Sequence, residues 1–174
     1  AAYQANLPVI YIPLVLRYVL EVASNTVEAI SILERIPVSM CYTITLLDAL
    51  GRWATVFVSP DRPTEVTQRN VVTNFQHAVE WPQHARATHS VERRDCLQAQ
   101  IDGPGSCEDA IGALLQAPLY QTSWLRGYGT LYGAAYRPRS GRIELLWPGE
   151  RWVQTVHDFA EGERRIVYAG ATSD

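Results

Sequence analysis

Hydrophobic positions in the first forty residues follow two helical patterns. In residues 13–23 the apolar side chains are too dense for a thin amphipathic stripe, which predicts a largely buried helix beginning at Pro13. Asn25 and Glu28 have the spacing of a capping box. The apolar face that follows predicts a second helix, which Pro37 prevents from continuing. These two adjacent helices are expected to form one layer.

The pattern then changes to that of strands. Residues 41–49 and 53–59 are rich in β-branched and aromatic side chains, and the turn-like residues between them predict a hairpin. A second pair of short strands is predicted at residues 65–68 and 71–73, with Arg69 and Asn70 as the turn. The last of these strands would lead directly into Asn74.

Residues 71–94 change from an apolar strand to an irregular polar segment and then to a helix. Asn74, Gln76 and His77 follow the predicted strand, and residues 75–89 show no sustained periodicity. Ser90 is predicted to be the N-cap of a helix that continues through Ile101. Binding and catalytic groups are common on irregular segments that a rigid scaffold positions, so this segment is the candidate functional region. A polar surface loop is the plain alternative.

The rest of the chain contains one more helix and a series of strands. Ser106 and Asp109 predict a capped helix that ends near Pro118. Turn signals then separate four apolar segments, which predict an antiparallel meander with strands at residues 130–136, 142–147, 151–156 and 164–168. Helices and strands in blocks predict an α+β fold, and the absence of a repeat or linker predicts a single domain over residues 1–174.

Composition excludes several classes of function. A net charge of -3 over 174 residues gives no basic surface for nucleic acid or for anionic membranes. The apolar run near the start is interrupted by prolines and Arg17 and is too short to cross a bilayer. Cys41, Cys96 and Cys107 lack the spacing of a zinc site or disulfide framework, so buried free thiols are expected for Cys41 and Cys96, in the cytoplasm.

Five stretches in order resemble a known family. They are PLVLRYVLEVASNTVEAISIL, LLDALGRW, VVTNFQH, HSVERRDCL and GTLYGAAYRPRSGRIELLWPG. Together they are similar to the later part of the isopenicillin-N acyltransferase-like family of N-terminal nucleophile hydrolases, which is related to choloylglycine hydrolases and penicillin V acylase. The resemblance covers residues 13–168 and implies an αββα sandwich with antiparallel sheets.

This resemblance implies a linear amide hydrolase or acyltransferase that needs no cofactor. An N-terminal cysteine, freed by autoproteolysis, would attack the amide carbonyl of a small-molecule substrate, with its own α-amine as base. Asn74 matches the asparagine that donates to the tetrahedral oxyanion. The alternative for Asn74 is a turn-forming or strand-capping residue.

Arg93 matches the arginine that holds the nucleophile's thiolate in place electrostatically. Ser90 and Arg93 would lie on one side of a helix, so that Arg93 could point back toward the end of the strand. The alternatives are a solvated Arg93 paired with Glu92 or Asp95, and a register in which Arg94 takes the role.

The nucleophile itself is expected upstream of this chain. Residue 1 is alanine, and none of the three cysteines has a free α-amine. The chain therefore resembles the C-terminal portion of such an enzyme, and the missing N-terminal portion or self-association would cover its apolar strand faces. A non-catalytic scaffold or binding domain that lacks the nucleophile is the main alternative.

Two further features have competing interpretations. His77, His84 and His89 lie close in sequence to Glu80 and Glu92, but their spacing matches no common metal site, so no metal is expected. The aromatic-rich residues 120–128 could line an acyl pocket or recognise a partner, and ordinary core packing is the favoured reading.

Overall fold

A computed structural model describes residues 10–79 and 81–168 of the chain. These residues form two compact units, one on each side of position 80. Each unit combines helices with one three-stranded antiparallel sheet, which confirms the α+β prediction. No helix within the described ranges has the length and apolar character needed to cross a membrane.

The first unit packs two helices on a sheet of strand order β1-β2-β3. Its elements are α1 (Ile12–Val22), α2 (Thr26–Arg35), β1 (Tyr42–Leu47), β2 (Trp53–Val58) and β3 (Glu65–Thr67). The hairpin of β1 and β2 is confirmed, with Tyr42 opposite Val58 at one end and Leu47 opposite Trp53 at the other.

The start of α2 confirms Asn25 as its cap. The Asn25 side chain accepts hydrogen bonds from the backbone N–H groups of Val27 and Glu28. The Glu28 carboxylate accepts a hydrogen bond at 2.9 Å from the backbone N–H of Ser24, the residue before the cap. The local signal in the sequence therefore placed this helix correctly because the cap is built from adjacent residues.

Helix α1 is much less buried than its apolar density predicts. Val15 and Val19, one turn apart, enter a core that includes Leu33, Val56 and other residues of α2 and the sheet. In contrast, Leu14 is 60% exposed and Leu20 is 83% exposed. The prediction of a largely buried helix is wrong within this unit because one narrow stripe makes all of the helix's core contacts.

The predicted second pair of strands is also wrong. Strand β3 pairs with β2, through Thr67 opposite Thr55 and Val66 opposite Val56, and residues 71–73 form no strand. Val71 is buried as expected. Side chains rather than a backbone ladder hold the segment that follows β3, so the local strand pattern was misleading.

The second unit contains three helices, a short 3-10 turn at Trp124–Arg126 and a meander of strand order β4-β5-β6. Its elements are α3 (Pro82–Ala87), α4 (Ser90–Asp102), α5 (Cys107–Ala113), β4 (Gly133–Arg137), β5 (Arg142–Trp147) and β6 (Glu150–Thr155). The predicted capping box of Ser106 and Asp109 is present at α5.

Two details at the start of α4 differ from the sequence-based expectation. Helix α3 was not predicted, and it ends immediately before α4. The N-cap of α4 is His89, in a left-handed conformation with φ of 52°. Ser90 is the first helical residue and is fully buried, with its hydroxyl 2.6 Å from that of Thr88. The chain reverses at His89, which is why Ser90 faces inward and does not cap the helix.

Three of the four predicted meander strands are confirmed. Residues 164–168, predicted as the fourth, form no strand. They are attached through side chains: the Arg164 guanidinium lies 5.1 Å from the Trp152 ring centroid, and the Tyr168 hydroxyl donates to the Leu131 carbonyl at 2.7 Å. Because side chains and not backbone hydrogen bonds attach this segment, its strand-like sequence pattern did not correspond to a strand.

Candidate active site

Asn74 lies on the polar segment that follows β3. Its side chain is exposed, and we find no hydrogen bond to it among residues 10–79 and 81–168. The sequence predicted that Asn74 follows directly from a strand at residues 71–73, but these residues form no strand. An exposed carboxamide on this segment has its N–H groups available to an external acceptor.

Gln76, two residues later, anchors this segment to the sheet. The side chain is only 6% exposed. Its Nε2 donates to the carbonyl of Tyr42 at 2.9 Å and lies 3.3 Å from the carbonyl of Val58. Tyr42 and Val58 are opposite each other at one end of the β1–β2 ladder, so Gln76 fixes the polar segment to that end of the sheet.

Arg69 provides a second attachment. Its Nη1 donates to the Gln76 carbonyl at 2.7 Å, and its own carbonyl accepts from the Thr55 hydroxyl at 2.7 Å. The guanidinium also lies 5.5 Å from the ring centroid of Phe57, a residue of β2. Residues 69–76 therefore form a loop whose two ends are joined to each other and to β2.

His77 contributes to the same attachment. Its ring meets that of Phe57 edge to face at 5.2 Å, and its Nε2 is 3.2 Å from a carboxylate oxygen of Glu65. Within the described parts of the chain no three His, Cys, Asp or Glu side chains are grouped as metal ligands would be. The three histidines of the segment instead have separate neighbours.

Arg93 lies on the first turn of α4 in the second unit. It is partly buried, and its Nε is fully buried with no hydrogen-bond partner among the described residues. The pairings considered as alternatives are taken by other residues, since Glu92 contacts His89 and Asp95 contacts Arg94. A buried guanidinium N–H without an acceptor is costly, so Arg93 is the arginine of this helix that has capacity for a further anionic partner.

The aromatic-rich residues 120–128 both pack in the core and line a cavity. Tyr120 is buried, and burial together with the nearby Tyr168 raises the pKa of its phenol. The Trp124 ring lies 4.9 Å from that of Tyr168. An open cavity of about 560 Å³ is lined by these rings together with Trp147, Glu150 and neighbouring residues. Side chains of this segment therefore both pack in the core and line a cavity, so both interpretations of the sequence describe it in part.

All three cysteines are free. Cys41 is exposed, contrary to the expectation that it is a buried thiol, because it precedes β1 and its side chain lies beside Ser59. Cys96 is partly buried in α4. Each of the three lies inside the chain with its α-nitrogen in a peptide bond, so none has the free amine that an N-terminal nucleophile uses as its base.

The sequence did not reveal the attachment of the loop. Gln76 was noted as a polar residue, but its acceptors are 34 and 18 residues away in the sequence. Arg69 was read as a turn residue, although it joins the two ends of the loop seven residues apart. Neither spacing corresponds to a helical or strand period, so no local pattern could have indicated these contacts.

Comparison with known families supports the resemblance noted from the motifs. The family model described as acyl-coenzyme A:6-aminopenicillanic acid acyl-transferase matches residues 9–152, a range that includes Asn74 and Arg93. No curated protein and no solved structure matches the chain. Because the match covers most of the chain, the protein belongs to the acyl-coenzyme A:6-aminopenicillanic acid acyl-transferase family.

Proposed function

We propose that this chain forms part of the active site of an enzyme that cleaves or transfers an acyl group at an amide bond, with Asn74 as the oxyanion donor. The observation that carries the proposal is the exposed Asn74 side chain on a loop fixed at both ends. A preorganised amide donor stabilises negative charge without having to reorganise during the reaction, and comparable donors are worth about 10²–10³ in rate.

The proposed reaction begins with a cysteine thiolate. Its sulfur attacks the substrate carbonyl after the α-amine of the same cysteine accepts the thiol proton. The Asn74 Nδ2 donates a hydrogen bond to the oxyanion that forms. Collapse of the intermediate breaks the C–N bond of an amide substrate, or the C–S bond when the acyl donor is a coenzyme A thioester, as in the family's description. The leaving amine or thiol takes up the proton, and an acyl-thioester on the cysteine remains. Water or an acceptor amine then resolves the thioester.

We assign the nucleophile to a cysteine outside residues 1–174, exposed at a chain terminus by autoproteolysis as in N-terminal nucleophile hydrolases. The positions of Cys41, Cys96 and Cys107 within the chain support this assignment. Arg93 is proposed to stabilise the thiolate, which is supported by its buried Nε, for which residues 10–79 and 81–168 provide no hydrogen-bond acceptor. Three free cysteines support a reducing compartment such as the cytoplasm.

Trapping of the acyl-enzyme tests this proposal. The purified native protein is mixed with hexanoyl-coenzyme A, quenched in acid, digested and mapped by mass spectrometry. We expect one hexanoyl group, removable by hydroxylamine, on a cysteine at the amino terminus of a mature chain. A hexanoyl group on Cys41, Cys96 or Cys107 would overturn the assignment of the nucleophile. Absence of any thioester would favour the non-catalytic scaffold.

A further inference from the structure

We infer that Gln76 is a positioning residue for acyl transfer, which holds the loop that presents Asn74. This inference rests on the proposed function, because it gives Gln76 a role only through Asn74. It also gives a reason why a carboxamide, and not an apolar side chain, is buried at the end of the sheet.

The two hydrogen-bonding groups of the Gln76 side chain are both used. Its Nε2 donates to the Tyr42 carbonyl at 2.9 Å and lies 3.3 Å from that of Val58. Its Oε1 accepts from the Arg62 guanidinium. Loss of the carboxamide would remove the donor to both carbonyl groups and the acceptor of the Arg62 guanidinium, so the site favours a glutamine side chain.

The contacts of Gln76 directly affect the position of Asn74, because only Phe75 separates the two residues. Residues 71–76 form no strand, so no ladder of backbone hydrogen bonds sets their position. The buried Gln76 side chain and the bond from Arg69 to the Gln76 carbonyl at 2.7 Å are two contacts that attach this segment to the rest of the unit. A catalytic donor misplaced by about 1 Å can lose about 100-fold in rate, so these attachments determine whether Asn74 is correctly placed.

Gln68, the residue after β3, provides a control that also bonds to β2. Its Nε2 donates to the carbonyl of Trp53 at 3.1 Å. Trp53 is at the opposite end of β2 from Val58, and Gln68 is exposed. The two glutamines thus make the same kind of bond to the same strand, but only Gln76 lies beside Asn74.

The experiment is a double-mutant cycle in the complete native enzyme. Gln76→Met and Gln68→Met are each made alone and together with Asn74→Ala. Turnover is measured as release of coenzyme A thiol from hexanoyl-coenzyme A with 6-aminopenicillanic acid as acceptor. We expect Gln76→Met to lower kcat at least about 10-fold with KM within about 2-fold, and Gln68→Met to change neither by more than about 2-fold.

The cycle distinguishes positioning from general stability. If Gln76 acts through Asn74, Gln76→Met lowers kcat by less than about 2-fold in the Asn74→Ala background. An equal loss in both backgrounds, or no loss in the parent enzyme, overturns the inference. Should Asn74→Ala itself leave kcat unchanged, or should the parent enzyme show no turnover, the proposed function fails instead.

Arg69→Met keeps the test informative if Gln76→Met does not fold. Arg69 is exposed, so its replacement removes the bond to the Gln76 carbonyl without a buried cavity. We expect the same selective loss of kcat and the same disappearance of that loss in the Asn74→Ala background. An additive effect of Arg69→Met would count against positioning through this loop.

Discussion

Glu144, at the centre of β5, has a side chain that is only 1% exposed. Three arginines surround its carboxylate, with the nearest nitrogens of Arg137, Arg142 and Arg151 at 3.1, 3.2 and 2.9 Å. Burial raises the pKa of this carboxyl, but the bond from Arg137 and the charges of Arg142 and Arg151 outweigh burial and lower it below 4.5. The arginines are themselves partly exposed, so the cluster is at the edge of the core.

Glu144→Gln is expected to lower the free energy of unfolding by about 2 kcal/mol, less than the 3–5 kcal/mol of a fully buried pair because the arginines are partly hydrated. Urea denaturation of the parent protein and the variant measures this change in the free energy of unfolding. Glu108→Gln is the control, since Glu108 contacts Arg137 and Arg151 but is 56% exposed, and we expect a loss below about 1 kcal/mol. Equal losses for the two variants would contradict the role of burial.

The position of Glu144 could not be predicted from the sequence. The alternation in RIELLW indicates a strand with Arg142 and Glu144 on one face, which is typical of a solvent-facing surface. The three guanidiniums that allow this carboxylate to be buried come from three different strands. Such a cluster depends on tertiary pairing, as does the attachment of the loop through Gln76.

At the scale of elements, Asp48 joins the β1–β2 turn to the start of α2. Its carboxylate accepts from the backbone N–H groups of Leu50 and Arg52 at 2.9 and 3.0 Å, from the Arg52 side chain at 2.8 Å and from the Thr26 N–H at 3.2 Å. Gly51 completes the turn with φ of 83°, a conformation that favours glycine. Burial raises the pKa of Asp48, but these hydrogen bonds outweigh it and lower the pKa to about 2.

Asp48→Asn is expected to lower the urea midpoint of unfolding, because an amide cannot accept all of these bonds. The pKa is lower in the folded than in the unfolded chain, so the stabilisation is fully present above the unfolded value of 3.8. It is lost as the pH falls toward about 2. The difference between the two proteins should therefore shrink between pH 4 and pH 2, because the unfolded chain takes up a proton at Asp48 at a higher pH than the folded chain does.

Asp95→Asn serves as the control for this pH series. Asp95 pairs with the adjacent Arg94 and is 59% exposed, so we expect little change in midpoint at any pH. A difference between parent and Asp48→Asn that stays constant from pH 4 to pH 2 would show that the Asp48 charge is not involved.

Elements with local signals were predicted well, and those without them were not. The cap of α2, the capping box of α5 and the turns of both sheets are built from residues within four positions of each other. The irregular segments that include residues 71–73 and 164–168 are held by contacts distant in the sequence. Helix α3 is an exception: Pro82 in its first turn is a local start signal, but the helix is too short to show a helical period. Strand periodicity indicates an extended apolar segment, but it does not show whether a neighbouring strand is available.

At the scale of the whole molecule, the family match extends across both units, from residue 9 to residue 152. The α+β class followed from the order of helices and strands. Asn74 and Arg93 were identified through their motifs. The structure adds that Asn74 is exposed on an anchored loop and that the buried Nε of Arg93 has no hydrogen-bond partner within the described part of the chain. The αββα arrangement of the two sheets stays a prediction.

The most direct test of the account is the kcat of Asn74→Ala compared with Asn70→Ala in the complete native enzyme, using hexanoyl-coenzyme A and 6-aminopenicillanic acid. Asn70 is an exposed asparagine of the same loop and serves as the matched control. We predict that Asn74→Ala lowers kcat by about 10²–10³ with KM nearly unchanged, because the donor acts on the transition state. Asn70→Ala should stay close to the parent. An unchanged kcat for Asn74→Ala would contradict the central claim that this loop presents the oxyanion donor.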